Sequence, residues 1–478
     1  MSYFLLFTTL FLTAAVGISF WKTYHVKIFL HPAFWFCVLW VCCIFSYFLL
    51  NIFPSEHNYY FAEHVNELYY FVLCTSIFFY VCKNIGRRTI LSREPELKID
   101  DIKRFFSVLA FVCLICSITN FILSGASFDF FSNRNKMVEY DTAMFYGEEK
   151  QSLIRTLLGV MLNINYMLAI CAGFFLCSRF QYIFLPKEDD KKRIAVFILF
   201  IPLLASFFDA LSVGGRNVIV IAFRLYIFGS ALAFCSFAKT DYFIQVRKLL
   251  KKFIYLCAIL LILFMAYSNY NLAQRYEMMN LQNQGLANMP VWARPFASII
   301  VYFGCATTGY QLRRNDFVTE KLDYGRKTFS GVLSWQLPFF GLFGIKASLG
   351  NIFDIETYSM KTMFLELQQR NALFFSSVAT MYLLLYDDFG FWGTIFFCFF
   401  LVLITQLLYW RWFLSDHKNF FSLYLLLIFF WLWSNSIFDP VFATGYVKTL
   451  FYSCLCLEVI RYSFNLIRDR NNTKNFSQ

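Results

Sequence analysis

The residues best suited to chemistry are the arginines and paired carboxylates of the stretch Asn271–Gly390. Arginine carries a planar fork of donors that matches phosphate oxygens, so several arginines in one segment favour an anionic substrate. This stretch is also the longest part of the chain that does not read simply as membrane helix. Its arginines are Arg275, Arg294, Arg313, Arg314, Arg326 and Arg370.

The paired carboxylates, Asp387 and Asp388, follow an apolar run and open a predicted helix. The positive end of a helix dipole favours the charged form of a carboxylate. Such a group can serve as a general base toward a sugar hydroxyl. The same placement is also typical of a helix cap followed by a turn glycine, here Gly390, so both interpretations stand.

A further arginine, Arg216, follows two glycines in the sequence Ser212-Val213-Gly214-Gly215-Arg216-Asn217. The connection between the two flanking apolar segments is so short that it predicts a tight turn at a membrane face, and glycine permits the required backbone. Arg216 would then be fixed at the depth of a lipid phosphate. The alternative is an ordinary interfacial arginine whose side chain extends to the headgroups.

Asp209 and Arg224 are predicted to lie deeper, one on each side of that turn. A charge in the hydrocarbon costs roughly 2.5–3.5 kcal/mol on insertion scales, which disfavours an unpaired one. Counted from the turn, the two positions differ in depth by about 6 Å, within reach of an arginine side chain. We therefore expect a structural ion pair, with a proton or ion relay as the alternative.

The composition requires an integral membrane protein, because 59% of the 478 residues are hydrophobic, 15% are charged and the mean hydropathy is +0.56. We predict an all-α fold, since a spanning helix needs about 20 largely apolar residues. The eleven predicted spans are Tyr3–Trp21, Phe29–Ile52, Leu68–Val81, Phe105–Leu123, Thr156–Cys177, Ile194–Ser212, Asn217–Phe237, Phe253–Asn269, Phe391–Trp410, Phe420–Ser436 and Gly445–Ile460.

The orientation follows from the basic residues of the short loops, which favour the cytoplasm. Lys83–Arg104, Arg179–Arg193 and Lys239–Lys252 are rich in Lys and Arg, whereas Pro54–Asn66 has neither. An odd span count then puts the amino terminus outside and the carboxyl terminus inside. We predict one polytopic domain over residues 1–478, with residues 270–390 as a long external segment between the eighth and ninth spans.

The net charge of +12 follows mainly from this bias. The basic residues are spread over separate loops, where they would meet anionic membrane lipid rather than nucleic acid. Within the external segment, Pro295–Thr308 and Ala372–Tyr386 are apolar but short for a span. We expect interfacial or re-entrant helices there. If both crossed instead, Gly309–Asn371 would be cytoplasmic.

Motifs for a metal or a nucleotide are missing. The sequence has no Asp-x-Asp, no Gly-x-x-x-x-Gly-Lys phosphate loop and no histidine in Asn271–Gly390. Cys113 and Cys116 have the spacing of a metal or redox pair but fall in the middle of a predicted span with no second pair. We therefore expect no metal and no cofactor. A sugar donor would be activated by its own lipid diphosphate rather than by a nucleotide.

Three segments together resemble a known family, the oligosaccharide repeat-unit polymerases or Wzy-type O-antigen polymerases. The first is the GGRN turn at Gly214 that opens an apolar helix, and the second runs from Tyr324-Gly325-Arg326-Lys327-Thr328-Phe329 through LSWQL to Pro338. The third is SVATMYLLLYDDFGFWG ahead of a span. The resemblance covers about Ser206–Trp410, in the family's order. Where the family usually has Asn and then Thr before its Asp-Phe-Gly, this chain has Ser377 and Thr380.

The resemblance implies an enzyme of the bacterial inner membrane, so the amino terminus that loop charge puts outside would be periplasmic and the carboxyl terminus cytoplasmic. Such an enzyme joins undecaprenyl-diphosphate-linked oligosaccharide repeat units, both donor and acceptor, at the periplasmic face. A chain-length regulator is a further candidate partner.

Combined with the residues, this gives a metal-independent, inverting glycosyltransferase with a periplasmic site. Asp388, with Asp387 as its substitute, would take the hydroxyl proton. The candidate diphosphate ligands are Arg216, Arg275, Arg294, Arg370 and Arg326. The candidate sugar ligands are Tyr310, Ser377 and Thr380.

Two alternatives stay open. An O-antigen ligase would use the same donor with a lipid A core acceptor, but the external segment lacks the histidine that this resemblance would suggest. A flippase or exporter of the same lipid-linked glycan belongs to another class. It should show repeat-related halves and charges along a central path, and the sequence shows neither.

Overall fold

Within the residues it describes, the computed structural model of the protein is mainly helical. These are 2–52, 66–94, 97, 99–128, 132–133, 136, 153–183, 195–213, 217–237, 300, 303–304, 306–307, 310, 322–333, 349–352, 380–415, 419–437, 442 and 446–475. No strand occurs in these ranges. The predicted all-α class is confirmed for this part of the chain.

The helices are numbered here in chain order. They are α1 Ser2–Tyr24, α2 Pro32–Ile52, α3 Asn66–Cys82, α4 Arg87–Ser92, α5 Asp100–Lys103, α6 Phe106–Leu123, α7 Leu153–Ile183, α8 Ile201–Val213, α9 Asn217–Phe237, α10 Ser330–Leu333, α11 Leu349–Ile352, α12 Met381–Leu414, α13 Phe420–Ser434 and α14 Tyr446–Asn475. Short 3-10 helices, His25–Leu30 and Val196–Phe200, precede α2 and α8.

Seven helical segments of the described residues are long and apolar enough to cross a membrane, which makes the chain a helical membrane protein. They are Tyr3–Leu30, Pro32–Leu49, Phe106–Leu123, Leu157–Ser178, Val196–Val213, Val218–Ser236 and Met381–Leu414. Two shorter apolar helices, α3 and α13, fall on the predicted third and tenth spans. α14 covers the predicted eleventh span but is not among the seven, and Phe253–Asn269 lies outside the described residues.

An aromatic cluster joins α2, α3 and α13 in the core. The ring of Trp433 lies 4.8 Å from that of Phe79 and 5.4 Å from that of Phe36, in edge-to-face contacts. The two buried indole N–H groups nearby are satisfied, because Trp433 donates to Thr405 at 2.7 Å and Trp40 donates to Ser436 at 2.9 Å. This packing joins the first half of α2 to the carboxyl-terminal end of α13, and Trp433 connects both to the second helix of α12.

A glycine seam brings α7 and α9 into close contact. A Cβ on Gly173 would lie 2.0 Å from the carbonyl oxygen of Tyr226, and one on Gly229 would lie 2.0 Å from that of Ile170. The Ser230 hydroxyl donates to the Gly173 carbonyl at 3.1 Å. Small residues allow this approach in membranes, where van der Waals packing replaces the hydrophobic drive between helices.

The structure corrects the expected pairing of the two deep charges. Arg224 donates to the Asn435 side chain and lies over the Trp431 ring at 5.5 Å, whereas the Asp209 carboxylate interacts with Asn120 of α6. The predicted ion pair between Asp209 and Arg224 is therefore wrong. The two positions are close enough in depth for an ion pair, but depth along a helix does not fix the direction of a side chain around it. Arg224 faces α13 and Asp209 faces α6.

The segment α12 is two helices joined at Gly390, whose φ of 68° and ψ of −173° are not helical. The Tyr382 hydroxyl donates to Thr75 at 2.8 Å, and Cys398 also interacts with Thr75. A straight helix would separate positions 382 and 398 by about 24 Å, too far for both to reach one side chain. The chain therefore bends back at Gly390, and the rings of Phe389 and Phe397 stack at 4.9 Å.

This bend falls between the two elements predicted for the region. The predicted ninth span begins at Phe391, directly after the bend, and the described part of Ala372–Tyr386 is the first helix of α12. That helix is buried, and its Tyr382 ring stacks at 5.7 Å on Phe71 of α3. Of the second apolar stretch, Pro295–Thr308, residues 300, 303–304 and 306–307 are described and are helical.

We predict that Gly173→Leu destabilises the protein by about 1–3 kcal/mol or more, because the side chain forces α7 and α9 apart. The matched control is Gly159→Leu on the same helix, where a Cβ meets nothing within 4 Å. Thermal unfolding of both variants in detergent tests this. Equal midpoints would show that the seam does not limit stability.

Candidate functional site

The bend of α12 carries the two predicted carboxylates at its apex, where the segment 322–333 covers them. The backbone N–H of Asp323 donates to the carbonyl of Asp387 at 3.3 Å, and that of Tyr324 donates to the carbonyl of Asp388 at 3.1 Å. These bonds satisfy carbonyls that the interrupted helix leaves without partners. The sequence segment that begins at Tyr324 is thereby docked on the Asp-Asp-Phe-Gly turn.

Asp388 is fully buried and anchors this segment through its side chain. One carboxylate oxygen accepts the backbone N–H of Lys327 at 3.2 Å, and the other accepts that of Thr328 at 2.6 Å. Both oxygens are thus engaged by main-chain donors, and such charge-assisted bonds are the strong ones. The geometry favours a positioning role for Asp388.

Asp387 has a different environment, because its partner is a side-chain cation. The Lys327 ammonium lies 3.0 Å from Asp387 Oδ2 and 2.9 Å from Asp323 Oδ2. Side-chain exposure is 7% for Lys327 and Asp387 but 30% for Asp323. Asp387 is therefore the better placed of the two apex carboxylates to act as a base, since its partner can move without unfolding the backbone.

Lys327 stays charged in this position. Burial is the largest single influence on its pKa and lowers it, but the charges and hydrogen bonds of Asp387 and Asp323 together outweigh burial and raise the pKa. A buried charge without partners is costly, and this buried ammonium has two carboxylates as partners. The three side chains form one unit, called the Asp323–Lys327–Asp387 triad below.

A strained turn presents neighbouring side chains to the outside. Tyr324 has a φ of 47° and Gly325 a φ of 90°, left-handed values that are unfavourable for most side chains. Strain of this kind clusters at functional sites. Its effect here is to leave the Tyr324 ring 79% exposed and the Arg326 side chain exposed, directly beside the buried Lys327.

Two of the predicted sugar ligands, Tyr310 and Thr380, are fully buried. Their hydroxyl groups have no hydrogen-bond partner among the described residues. Burial raises the pKa of the Tyr310 hydroxyl well above its usual value, and the charges of Tyr386 and Asp387 raise it further, so it remains a donor. A buried hydroxyl without a partner costs free energy, which indicates a site that a ligand or water completes.

The remaining predicted ligands, Arg216, Arg275, Arg294, Arg370 and Ser377, lie outside the described residues. The helices that flank the Arg216 turn end at Val213 and begin at Asn217.

Arg224, in the first half of α9, nevertheless lies near the start of α12. Arg224 of α9 bonds to Asn435, and the next residue, Ser436, accepts the backbone N–H of Met381 at 2.9 Å.

The sequence interpretation missed Asp323 and Lys327, although Lys327 stands in the quoted motif. The signal was present, because residues four apart with opposite charge face each other over one turn. The sequence did not indicate that Asp387 lies beside Lys327, because Asp387 is sixty residues further along the chain.

The fold and this site together define a polytopic helical membrane protein with a buried charge cluster at an interrupted helix. Comparison with protein-family models, with curated proteins and with solved structures found no match for the chain.

We predict that Asp388→Asn loosens the segment 322–333, because an amide nitrogen would face a backbone N–H that now has an acceptor. The expected cost is about 1–3 kcal/mol, the penalty for leaving a buried donor without a partner. Limited proteolysis between residues 322 and 333 measures the loss of docking. Asp323→Asn, at the exposed end of the triad, is the control, and equal cleavage of both variants would argue against the anchoring role.

Proposed function

We propose that the protein is a glycosyltransferase that polymerises lipid-linked oligosaccharide repeat units, with the donor carried on a polyprenyl diphosphate such as undecaprenyl diphosphate. The observation that carries the proposal is the Asp323–Lys327–Asp387 triad at the bend of a membrane-embedded helix. It combines a candidate base with a cation for the departing diphosphate. The motif resemblance described above supports the same conclusion.

In the proposed reaction, the acceptor's sugar hydroxyl gives its proton to Asp387 while its oxygen forms a bond to the anomeric carbon of the donor. The bond from that carbon to the diphosphate oxygen breaks, and the diphosphate leaves with the electron pair. Lys327 and the exposed Arg326 balance the charge that develops there. A single displacement of this kind inverts the anomeric carbon.

Asp388 enters this mechanism as the group that holds the Lys327 backbone rather than as the base. Tyr310 and Thr380 are candidates to bind sugar oxygens, because their buried hydroxyls lack partners among the described residues. Arg216, Arg275, Arg294 and Arg370 remain candidate diphosphate ligands. The nearness of Arg224, in the first half of α9, to the start of α12 supports Arg216 acting with this site.

For the topology we propose eleven spans in the bacterial inner membrane, with the amino terminus and residues 270–390 in the periplasm. The seven apolar helices and the two shorter ones support nine of these spans. The charge bias of the loops supports the orientation.

One observation favours a transporter as a second candidate. Secondary transporters bind substrates where a membrane helix is interrupted, and α12 is interrupted at a charge cluster. A flippase for the same lipid-linked glycan would move intact single units across vesicles. The purified polymerase, given the same units in detergent, would instead produce a ladder of longer glycans on the lipid.

We predict that Asp387→Asn abolishes the ladder and that Arg216→Ala reduces it at least tenfold, while both proteins keep near-normal abundance. Loss of a general base typically costs 10²–10⁴-fold in rate. The matched control is Arg411→Ala, an exposed arginine at the opposite end of α12. A wild-type protein that transports but never elongates would refute the polymerase.

A further inference from the structure

The cation of the triad is bound to the carboxylate that must be released before it can act as a base. The Lys327 ammonium is 3.0 Å from Asp387, which the proposed mechanism uses as its base, and 2.9 Å from Asp323. While Lys327 holds Asp387, the carboxylate oxygen it contacts is shielded from an incoming hydroxyl. The resting arrangement is therefore not the reactive one.

Lys327 can change partners without disturbing the fold around it. Its backbone N–H is fixed on Asp388 at 3.2 Å, so the main chain stays in place while the flexible side chain moves. Lysine is a compact charge on a four-carbon stem and suits such an exchange better than arginine. Asp323, 30% exposed, marks the side of the triad that is open to solvent.

The space beside Asp387 has the character of a binding site rather than of a closed ion pair. The Tyr310 hydroxyl is fully buried, senses the charge of Asp387 and has no partner among the described residues. Arg326 is exposed next to Lys327 and adds a second positive charge. A multiply charged anion entering here meets two cations, whereas each carboxylate offers Lys327 only one negative charge.

We infer that Lys327 is a substrate-controlled counter-ion: a lipid diphosphate draws it from Asp387, and the freed carboxylate accepts the acceptor's proton. This inference rests on the proposed function and assigns Lys327 both its diphosphate contact and its control of the base. The device would keep Asp387 occupied until the donor is bound. Charge is conserved in the exchange, because the ammonium moves from one anion to another.

The exchange predicts that loss of a triad carboxylate strengthens diphosphate binding, whereas loss of the ammonium weakens it. The probe is farnesyl diphosphate, titrated into the full-length protein in detergent micelles by calorimetry, with farnesol as the uncharged control. Lys327→Gln should weaken binding about tenfold or more, as expected for one lost charge-assisted hydrogen bond. Asp387→Asn should tighten binding severalfold, because the carboxylate no longer competes for the ammonium.

Asp323→Asn should also tighten binding. It leaves Asp387 and Asp388 unchanged, so it tests the exchange even if Lys327→Gln fails to fold. Lys327→Arg should retain binding but slow elongation, since a bidentate arginine releases a carboxylate less readily. Weaker binding in both Asp→Asn variants, or unchanged binding in both, would overturn the exchange. If binding gives either of these results but the wild-type protein still produces the ladder of longer glycans, only the exchange is wrong. If the wild-type protein produces no ladder, the proposed polymerase function is wrong.

Discussion

The structure depends on how a group of charges is accommodated at a break in an apolar helix. A carboxylate moved out of water needs hydrogen bonds or an opposite charge. Asp388 obtains two backbone N–H donors, and Asp387 obtains the ammonium of Lys327. Both solutions require the segment 322–333 to lie on the bend, so satisfying the charges and docking the segment are the same event.

The surrounding helices keep the bend in place. The first helix of α12 is buried, and Tyr382 ties it to Thr75 of α3. Its start is bonded to Ser436 beyond α13, whose neighbour Asn435 binds Arg224 of α9. The glycine seam brings α9 against α7. A series of polar contacts inside an apolar bundle thus sets the height and direction of the apex, where geometry matters for chemistry.

The two neighbouring carboxylates have separate tasks because their partners differ in mobility. Main-chain N–H groups cannot leave Asp388 without unfolding the turn, whereas a lysine side chain can leave Asp387 through rotations about its own bonds. The same sequence pair, Asp-Asp, therefore supplies one carboxylate fixed by the main chain and one held by a side chain. The left-handed backbone at Tyr324 and Gly325 completes the arrangement by bringing Lys327 inward and leaving Arg326 outside.

The sequence alone determined the membrane class and most of the helices, because apolar length is a local property. It also predicted a span from Phe391, directly after the Asp-Asp-Phe-Gly sequence, and the break in α12 falls at Gly390. Only the tertiary structure decided the partners: Arg224 faces Asn435 rather than Asp209, and Asp388 accepts the backbone N–H groups of Lys327 and Thr328. Asp323 and Lys327 joined the site only when the chain between them and Asp387 folded back. Side-chain direction and long-range approach depend on packing between helices, which no local pattern specifies.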